Sequence, residues 1–256
     1  MKKLASALAA LVVAWIVFLL IAGAIYGPRT VAKVTDRVSS SLNAKTSIDD
    51  TSLALVRGIL ELDGVHALRD GVGTFSIDAM RVRCHLMPLG GALWNHHCNE
   101  LEIDGVTMQV TSVGFIQFKR PSRDPLNVDH VVIRDGTLGF APSAIVPDLG
   151  RVEVHVEQAV AGPTSFTTPL AWIFTLRELK ATFALPGDVT LALTYANQTL
   201  TATGSVLGSA PISIPLVLPS STGNVEKDLA ELERVGKQIA TELVERRAKD
   251  WLRSAL

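Results

Sequence analysis

The sequence predicts a mainly β protein: a curled antiparallel sheet or groove, preceded by an N-terminal transmembrane helix and followed by a long C-terminal amphipathic helix. Three observations predict it. The N-terminus carries a long segment without charge, apolar residues alternate from 51 to about 218, and a helical pattern ends the chain. The expected divisions are residues 1–27 for the membrane anchor, 28–221 for the β-rich groove domain and 222–256 for the C-terminal helix.

The N-terminal segment is long enough to cross a bilayer. The 22 residues from Leu4 to Ile25 contain no charge. As a helix they would extend about 33 Å, against a hydrocarbon core of about 30 Å. A cleaved signal peptide is the alternative, because Lys2 and Lys3 form a basic start and Ala22-Gly23-Ala24 matches a small-residue cleavage site. Both interpretations place the rest of the chain outside the cytoplasm.

A short helix and then a series of strands are expected after this segment. Four apolar residues recur at helical spacing, namely Val31, Val34, Val38 and Leu42. Farther along, apolar residues occupy alternate positions, as in Phe75, Ile77 and Ala79. Such alternation is typical of strands with one buried and one solvated face. Turn-forming residues separate the runs, so we expect ten to twelve antiparallel strands.

An Asp-Gly pair recurs in three predicted strands, at Asp63-Gly64, Asp104-Gly105 and Asp135-Gly136. Apolar residues fall at 60 and 62 before the first pair but at 65 and 67 after it. A glycine with positive φ in a β-bulge would insert a residue, bend the strand and keep the apolar side chains on one face. A two-residue Asp-Gly hairpin turn is the alternative. The bulge predicts a sheet bent at matching places, which would form a trough.

The predicted inner face of this trough is aliphatic. It suits flexible alkyl chains, which require area more than directional contacts. The core of a closed β-sandwich is the alternative role for the same residues. The candidate groove residues are Leu60, Leu62, Val65, Phe75, Ile77, Val82, Leu101, Ile103, Met108, Val131 and Ile133.

Two cysteines and several histidines lie close together in the sequence, so a zinc site has to be considered. Cys84 and Cys98 are equidistant from Gly91, near the centre of an expected hairpin loop, and should therefore face each other on paired strands. Cross-strand neighbours are close enough for a disulfide, which an extracytoplasmic compartment would preserve. Free buried thiols and a metal site remain the alternatives. The neighbouring histidines, His85, His96 and His97, are expected to be mainly solvated.

No motif for catalysis or nucleotide binding is present. The chain has no GxSxG, P-loop or GxGxxG sequence, and its carboxylates form no recognisable acid/base pair. We therefore predict no catalytic residue, no metal ligand and no cofactor. The net charge is −1, and the basic residues are scattered until the last thirty positions, which argues against nucleic acid as a partner.

The C-terminal region predicts a long surface helix. Its apolar stripe comprises Val225, Leu229, Leu232, Ile239 and Leu243. Asn224 is the expected N-cap, with Glu226 and Asp228 in the first turn. The helix should cover the trough or its open end. Alternatively, its basic tail contacts anionic lipid or a protein partner. This tail contains Arg246, Arg247, Lys249 and Arg253.

The order of these elements resembles the N-terminal region of the AsmA-like family of bacterial envelope proteins. The resemblance covers about residues 1 to 140. Its motifs are Ser52-Leu-Ala-Leu, Leu60-Glu-Leu-Asp-Gly-Val, Phe75-Ser-Ile-Asp, Leu101-Glu-Ile-Asp-Gly-Val and the strand pair within 126–140.

This resemblance implies a single-pass protein of the bacterial inner membrane with its main domain in the periplasm. A β-taco-like groove would hold phospholipid acyl chains, for lipid transport or envelope integrity. Membrane phospholipid is then the expected partner, together with other envelope proteins, while the sequence leaves the oligomeric state open. A second hypothesis, from another class, is an assembly protein whose closed β-sandwich binds a protein partner.

Overall fold

A computed structural model describes residues 32, 35–36, 39, 44–54, 57–69, 75–86, 97–110, 125–140, 152–168, 170–185, 189–204 and 208–255. The predicted anchor at residues 1–27 lies outside them. None of the helices in these ranges has the length and apolar character needed to span a bilayer. Of the short helix expected next, residues 32, 35, 36 and 39 are described, and all four are helical.

The described part of the chain contains eleven strands, a short 3-10 helix and one long α-helix. The strands are β1 (Lys45–Ala54), β2 (Ile59–Arg69), β3 (Phe75–His85), β4 (His97–Val110), β5 (Asn127–Phe140), β6 (Val152–Ala161), β7 (Thr164–Ser165), β8 (Leu176–Leu185), β9 (Val189–Ala196), β10 (Thr199–Gly204) and β11 (Gly208–Pro215). The 3-10 helix spans Ala171–Thr175, and helix α1 spans Val225–Ala255.

All of these strands belong to one open, curled sheet. Their order is β1-β2-β3-β4-β5-β6-β8-β9-β10-β11, with β7 paired to β5. Strands β1 and β11 form the two edges of the sheet. The described strands therefore do not form the two facing sheets of the closed sandwich that was considered as an alternative.

The prediction of a wholly antiparallel sheet is wrong at one place. Strands β4 and β5 are parallel, whereas the other strand pairs are antiparallel. Two parallel neighbours need a crossover connection between them. Alternation of apolar residues reports which face is buried but carries no information about strand direction, so the sequence pattern could not reveal this crossover.

Along β1 to β6 every second residue points to the buried face, but near the middle of each strand this alternation shifts by one position, which we call a change of parity. The buried residues Leu62 and Ala67 in β2 are five positions apart, as are Ala79 and Cys84 in β3. An odd separation would place two residues on opposite faces of a regular strand. Because these pairs are buried together, each strand must change its twist or direction between them.

The parity changes line up across the sheet. Asp50 pairs with Asp63, Asp63 with Arg81, Arg81 with Asp104, and Asp104 with Arg134. The residues next to these form one row, which we call the bend row: Asp49, Gly64, Met80, Gly105 and Asp135. Neighbouring strands thus turn together at the same level.

Three of the five bend-row residues have a positive φ. Gly64 has φ 61°, Gly105 has φ 63° and Asp135 has φ 54°, all inside strands. This confirms the positive φ predicted for the first two glycines and excludes the hairpin alternative. The third prediction is wrong by one residue, because Asp135 takes the left-handed conformation in place of Gly136. Aspartate tolerates that conformation better than most residues do.

The predicted mechanism of a one-sided bulge also needs correction. The pairing registers of β1 to β5 are the same on both sides of the bend row, so no strand there carries an extra residue relative to its neighbour. Since all of them bend at the same row, no offset accumulates. A register shift first appears between β6 and β8, between Val156 and Gln158.

Helix α1 packs on the last strands of the sheet, as predicted for a cover over one end. Val235, Ile239 and Leu243 join a cluster with apolar residues of β9 to β11, namely Tyr195, Leu200, Ala202, Ile212 and Ile214. The Lys227 backbone N–H donates to Asn224 Oδ1 at 3.1 Å, which confirms the predicted N-cap. The predicted stripe missed Val235, and the side chains of Val225 and Leu229 lie outside the described set.

We expect the Gly105→Ala variant to be less stable by about 1–2 kcal/mol, because an alanine at φ 63° is strained. Its Cβ would also lie 3.0 Å from Met80 Cβ. The measurement is urea unfolding of the full chain in detergent. Gly236→Ala in helix α1 is the control. It meets nothing within 4 Å and should stabilise by about 1 kcal/mol. Equal effects of the two substitutions would contradict the strained-bend explanation.

Candidate functional site

A continuous apolar face crosses nine strands of the curled sheet. Successive cross-strand pairs define a central row, from β2 to β11. The central row consists of Leu62, Val82, Ile103, Ile133, Ala159, Leu179, Tyr195, Leu200 and Ile214. Only Tyr195 in this row carries a polar atom, and its hydroxyl donates to the carbonyl oxygen of Leu216.

Rows on either side of the central row are also apolar. The proximal row consists of Leu53, Leu60, Cys84, Leu101, Val131, Ala161 and Leu176. The distal row, beyond the bend row, consists of Ala67, Ile77, Met108, Leu138, Val154, Phe183 and Leu191. The bend row therefore keeps both ends of each strand apolar on one face. We call this face the concave face.

The eleven predicted groove residues all lie on the concave face by register. Leu62, Val131 and Ile133 are buried. Seven others keep part of their surface exposed, namely Leu60, Val65, Ile77, Val82, Leu101, Ile103 and Met108. The Phe75 side chain lies outside the described set, although its backbone pairs with Arg69 and Val110.

The concave face extends beyond the predicted candidates onto β6 and β8 to β11. Val154, Val156, Ala181 and Leu193 belong to it. Their alternation is visible in the sequence, but the predicted groove ended at β5. The sequence does not give the order of the strands in the sheet, and only register shows that β6 and β8 to β11 continue the same rows.

The opposite, convex face of β2 to β5 carries a ladder of ion pairs. Arg81 Nε lies 2.9 Å from Glu61 and 3.2 Å from Asp63. Arg83 lies 3.1 Å from Glu61, and Arg134 lies 3.4 Å from Asp104. Opposite charges on facing strands stabilise a sheet by about 0.2–1 kcal/mol per pair. Because these side chains are charged, the convex face stays solvated and does not suit an apolar ligand.

Glu102 is the most buried carboxylate of this ladder. It lies 3.1 Å from Arg134 and 3.4 Å from His85. Burial by itself acts to raise the pKa of Glu102, but hydrogen bonds from Arg134 and His85, with their charges, hold that pKa below its usual value. Glu102 is therefore an ionised structural group and does not act as a proton donor near neutral pH.

Cys84 and Cys98 form a disulfide, with their Cα atoms 5.7 Å apart. The predicted bond is confirmed, and the free-thiol alternative is excluded. The predicted symmetry is wrong, since Cys84 pairs with Leu101 and Cys98 pairs with Val128. Cys98 and Leu101 share one core although they are three residues apart, so β4 changes parity a second time near its start and returns Cys98 to the concave side.

The described histidines of this hairpin lie on the convex face with carboxylates. His85 lies 3.4 Å from Glu102, and His97 lies 3.1 Å from Asp129. His96 lies outside the described residues. Within the described ranges, no three histidine, cysteine or acidic side chains converge as metal ligands. With both sulfurs in the disulfide, the cysteines do not supply thiolates for a zinc site.

Asp228, in the first turn of α1, joins the start of the helix to the segment that follows β7. Its fully buried carboxylate accepts hydrogen bonds from Thr168 at 3.2 Å and Ser221 at 2.7 Å. The other oxygen accepts from the Thr222 backbone N–H at 2.7 Å and hydroxyl at 2.8 Å. Sequence reasoning assigned Asp228 only a helix-dipole role, because its partners are distant in sequence or lie in an irregular segment.

An open pocket of about 370 Å³ lies close to these groups. It is lined mainly by hydroxyl side chains, those of Thr164, Ser165, Thr167, Thr175, Ser221 and Thr222. Several of these hydroxyls already bond to each other or to Asp228. We therefore assign this region a structural role at the junction of helix and sheet.

Comparison with protein-family models and with curated proteins finds no match for this chain. The resemblance to the AsmA-like family, the envelope location and the phospholipid partner therefore stay predictions. The geometry of the concave face carries the functional argument.

Removing the disulfide should lower stability by about 3 kcal/mol, the chain-entropy value for a loop of about this length. We expect the Cys84→Ala/Cys98→Ala variant to unfold at lower urea concentration than the oxidised protein. Adding a reductant should shift the wild type towards the variant and leave the variant unchanged. Two alkylatable thiols in the exported, non-reduced protein would contradict the bond.

Asp228→Asn should destabilise the protein at neutral pH by about 3 kcal/mol, because hydrogen bonds to a charged group are lost. Burial alone would raise the pKa of Asp228, but the hydroxyl and backbone donors outweigh it and lower that pKa. A lowered folded pKa gives stability that is present above the unfolded value of about 3.9 and is lost as pH falls through the folded pKa.

The unfolding free energies of wild type and Asp228→Asn should therefore converge as the pH falls below about 4. Glu226→Gln, an exposed change in the same turn, is the control and should cost no more than about 1 kcal/mol. A constant difference across the pH range would show that the Asp228 charge is not the stabilising feature.

Proposed function

We propose that this protein is a membrane-anchored module of the bacterial envelope that binds phospholipid acyl chains on its concave face and shields or transfers them without catalysis. The observation that carries the proposal is the central row, an apolar line over nine strands. Helix α1 covers the part of this line on β9 to β11. The six strands before them, with five spacings of about 4.8 Å, leave about 24 Å of it. One leaflet of a bilayer core is about 15 Å deep, so the line accommodates extended acyl chains.

Partial exposure favours an apolar occupant. Many of the large aliphatic side chains of β2 to β4 on this face are only half-buried. Exposed apolar surface is unfavourable by about 25 cal/mol per Å², and soluble proteins rarely leave large contiguous patches uncovered. Alkyl chains cover such a surface without requiring hydrogen-bond partners, and the central and flanking rows offer almost none.

The two ends of the groove differ in what lies next to them. Helix α1 covers the concave face at β9 to β11. The β1 end follows the segment that leads from the predicted anchor. An anchor retained at residues 1–27 would hold this end near the bilayer, where lipid enters. The disulfide supports an extracytoplasmic location, because disulfides persist in oxidising compartments.

Site-specific photo-cross-linking tests the proposal. Val106 and Thr107 are neighbours in β4, but Val106 packs on the concave core whereas Thr107 is exposed on the other face. The full chain is expressed in bacterial cells with p-benzoylphenylalanine at one position or the other. We expect phospholipid adducts by mass spectrometry after illumination of the Val106 variant, and only background at Thr107.

A second pair in β5 protects the test against local misfolding. Leu138 packs on the concave core, and Thr137 precedes it on the opposite face. Formation of the Cys84–Cys98 disulfide reports that each variant has folded. Equal labelling at both faces, or no lipid adduct at either concave position in folded protein, would refute acyl-chain binding.

A further inference from the structure

The two edges of the sheet differ in how they are protected. Strand β11 contains Pro211 and Pro215, and Arg246 of helix α1 donates to its Ser213 carbonyl. Strand β1 is 10 residues long and contains neither proline nor glycine. In the described part of the chain, β1 pairs with β2 alone. A long edge strand without such protection presents backbone groups that another strand can pair with.

The backbone of Thr51 shows how β1 satisfies its outer groups at present. The Thr51 N–H donates to Asp50 Oδ1 at 2.7 Å, which is the side chain of the preceding residue. Backbone N–H and C=O groups of a strand are otherwise satisfied by the neighbouring strand. A carbonyl of an added strand could take over this N–H, which would leave the Asp50 carboxylate to interact with a cation.

The charged ladder of the convex face ends at β1 on an acid without a basic partner. Pairing places Asp50, Asp63, Arg81, Asp104 and Arg134 in one row across five strands. Arg81 compensates Asp63, and Arg134 compensates Asp104. Asp50 is exposed and forms no ion pair with any residue that the structure describes. The next position of this row, on a strand beyond β1, therefore suits a basic side chain.

A second copy of this chain would not supply that side chain through its own β1. Ile48 pairs with Val65, and Thr51 pairs with Leu62, so both lie on the concave side. An antiparallel dimer that keeps the two concave faces continuous places Ile48 of one copy opposite Thr51 of the other. Asp49 then lies opposite Asp50, once on each side of the two-fold axis. Like charges directly opposite each other are destabilising, so the charges of β1 favour a different protein.

We propose that the outer edge of β1 binds, in antiparallel orientation, a strand of another protein that carries arginine or lysine opposite Asp50. Main-chain hydrogen bonds give affinity in such strand addition, and alternate side chains give specificity. Antiparallel pairing is slightly more stable per residue than parallel pairing. Aliphatic side chains of the partner would lie beside Ile48 and Leu53 and continue the concave face by one strand. This inference goes beyond the proposed function and does not depend on lipid binding.

The test uses a labelled peptide with the required pattern, namely residues 127–140 of this chain, the sequence of β5. In the sheet its Arg134 lies opposite Asp104. Placed antiparallel to β1, the peptide would have Arg134 opposite Asp50 and Ile133 opposite Thr51. We expect saturable binding to the full chain in detergent, measured by fluorescence anisotropy. The Arg134→Glu peptide should bind about fivefold more weakly or less, since a cross-strand pair of opposite charges is replaced by a repulsive one.

Charge reversal in the protein identifies the site. Asp50→Lys should invert the preference, so that the Arg134→Glu peptide binds more tightly than the unaltered peptide. Glu178→Lys, an exposed charge reversal on β8, is the matched control and should leave the preference unchanged. Formation of the Cys84–Cys98 disulfide reports that each variant has folded. No saturable binding, equal binding of the two peptides, or an unchanged preference in folded Asp50→Lys would overturn the proposal.

N-methylation of the peptide backbone separates strand pairing from attraction between charges. Methyl groups on alternate residues block hydrogen bonds along one edge of the peptide. One alternating set should abolish binding and the other should preserve it, because a single edge of the peptide faces β1. Equal effects of the two sets would overturn strand addition. A dimer of the full chain in analytical ultracentrifugation that the peptide dissociates would assign the edge to a second copy, which also overturns the proposal.

Discussion

The concave face depends on one constraint, namely that neighbouring strands change parity at the same row. If one strand changed parity without its neighbours, its inward and outward side chains would be exchanged beyond that point. Charged side chains would then face the apolar side of the sheet. Gly64, Gly105 and Asp135 supply positive φ at matching positions, and the registers of β1 to β5 continue unchanged through them. The common row bends the sheet while its two faces stay chemically distinct.

The two faces then take opposite chemistry. Contacts with the aliphatic rows are not directional, so these rows can bind a flexible ligand. The ion pairs of the convex ladder depend on the geometry of the paired strands, and they stabilise the sheet. The edges are also treated differently. Strand β11 contains Pro211 and Pro215, which lack an N–H, and Arg246 of helix α1 donates to the Ser213 carbonyl. These features block the addition of further strands at that edge.

The anchoring of helix α1 determines which end of the groove is closed. An amphipathic helix with a stripe of apolar residues can lie on many surfaces, but the buried Asp228 bonds to Thr168, Ser221 and Thr222 and so fixes its start. Packing of Val235 and Leu243 against β9 to β11 then follows from the direction of the helix. Two side chains of the predicted basic tail are described. Arg246 contacts the edge of the sheet, and Arg247 is exposed.

Patterns along the chain predicted the local features: alternating strands, positive φ at two Asp-Gly glycines, the N-cap at Asn224 and the pairing of the only two cysteines. Each depends on residues close together along the chain or on composition. Only the folded sheet shows that β4 and β5 are parallel, that Cys84 lies opposite Leu101, and that the rows continue onto β6 and β8 to β11. These features depend on register between distant strands, which periodicity along one strand does not encode.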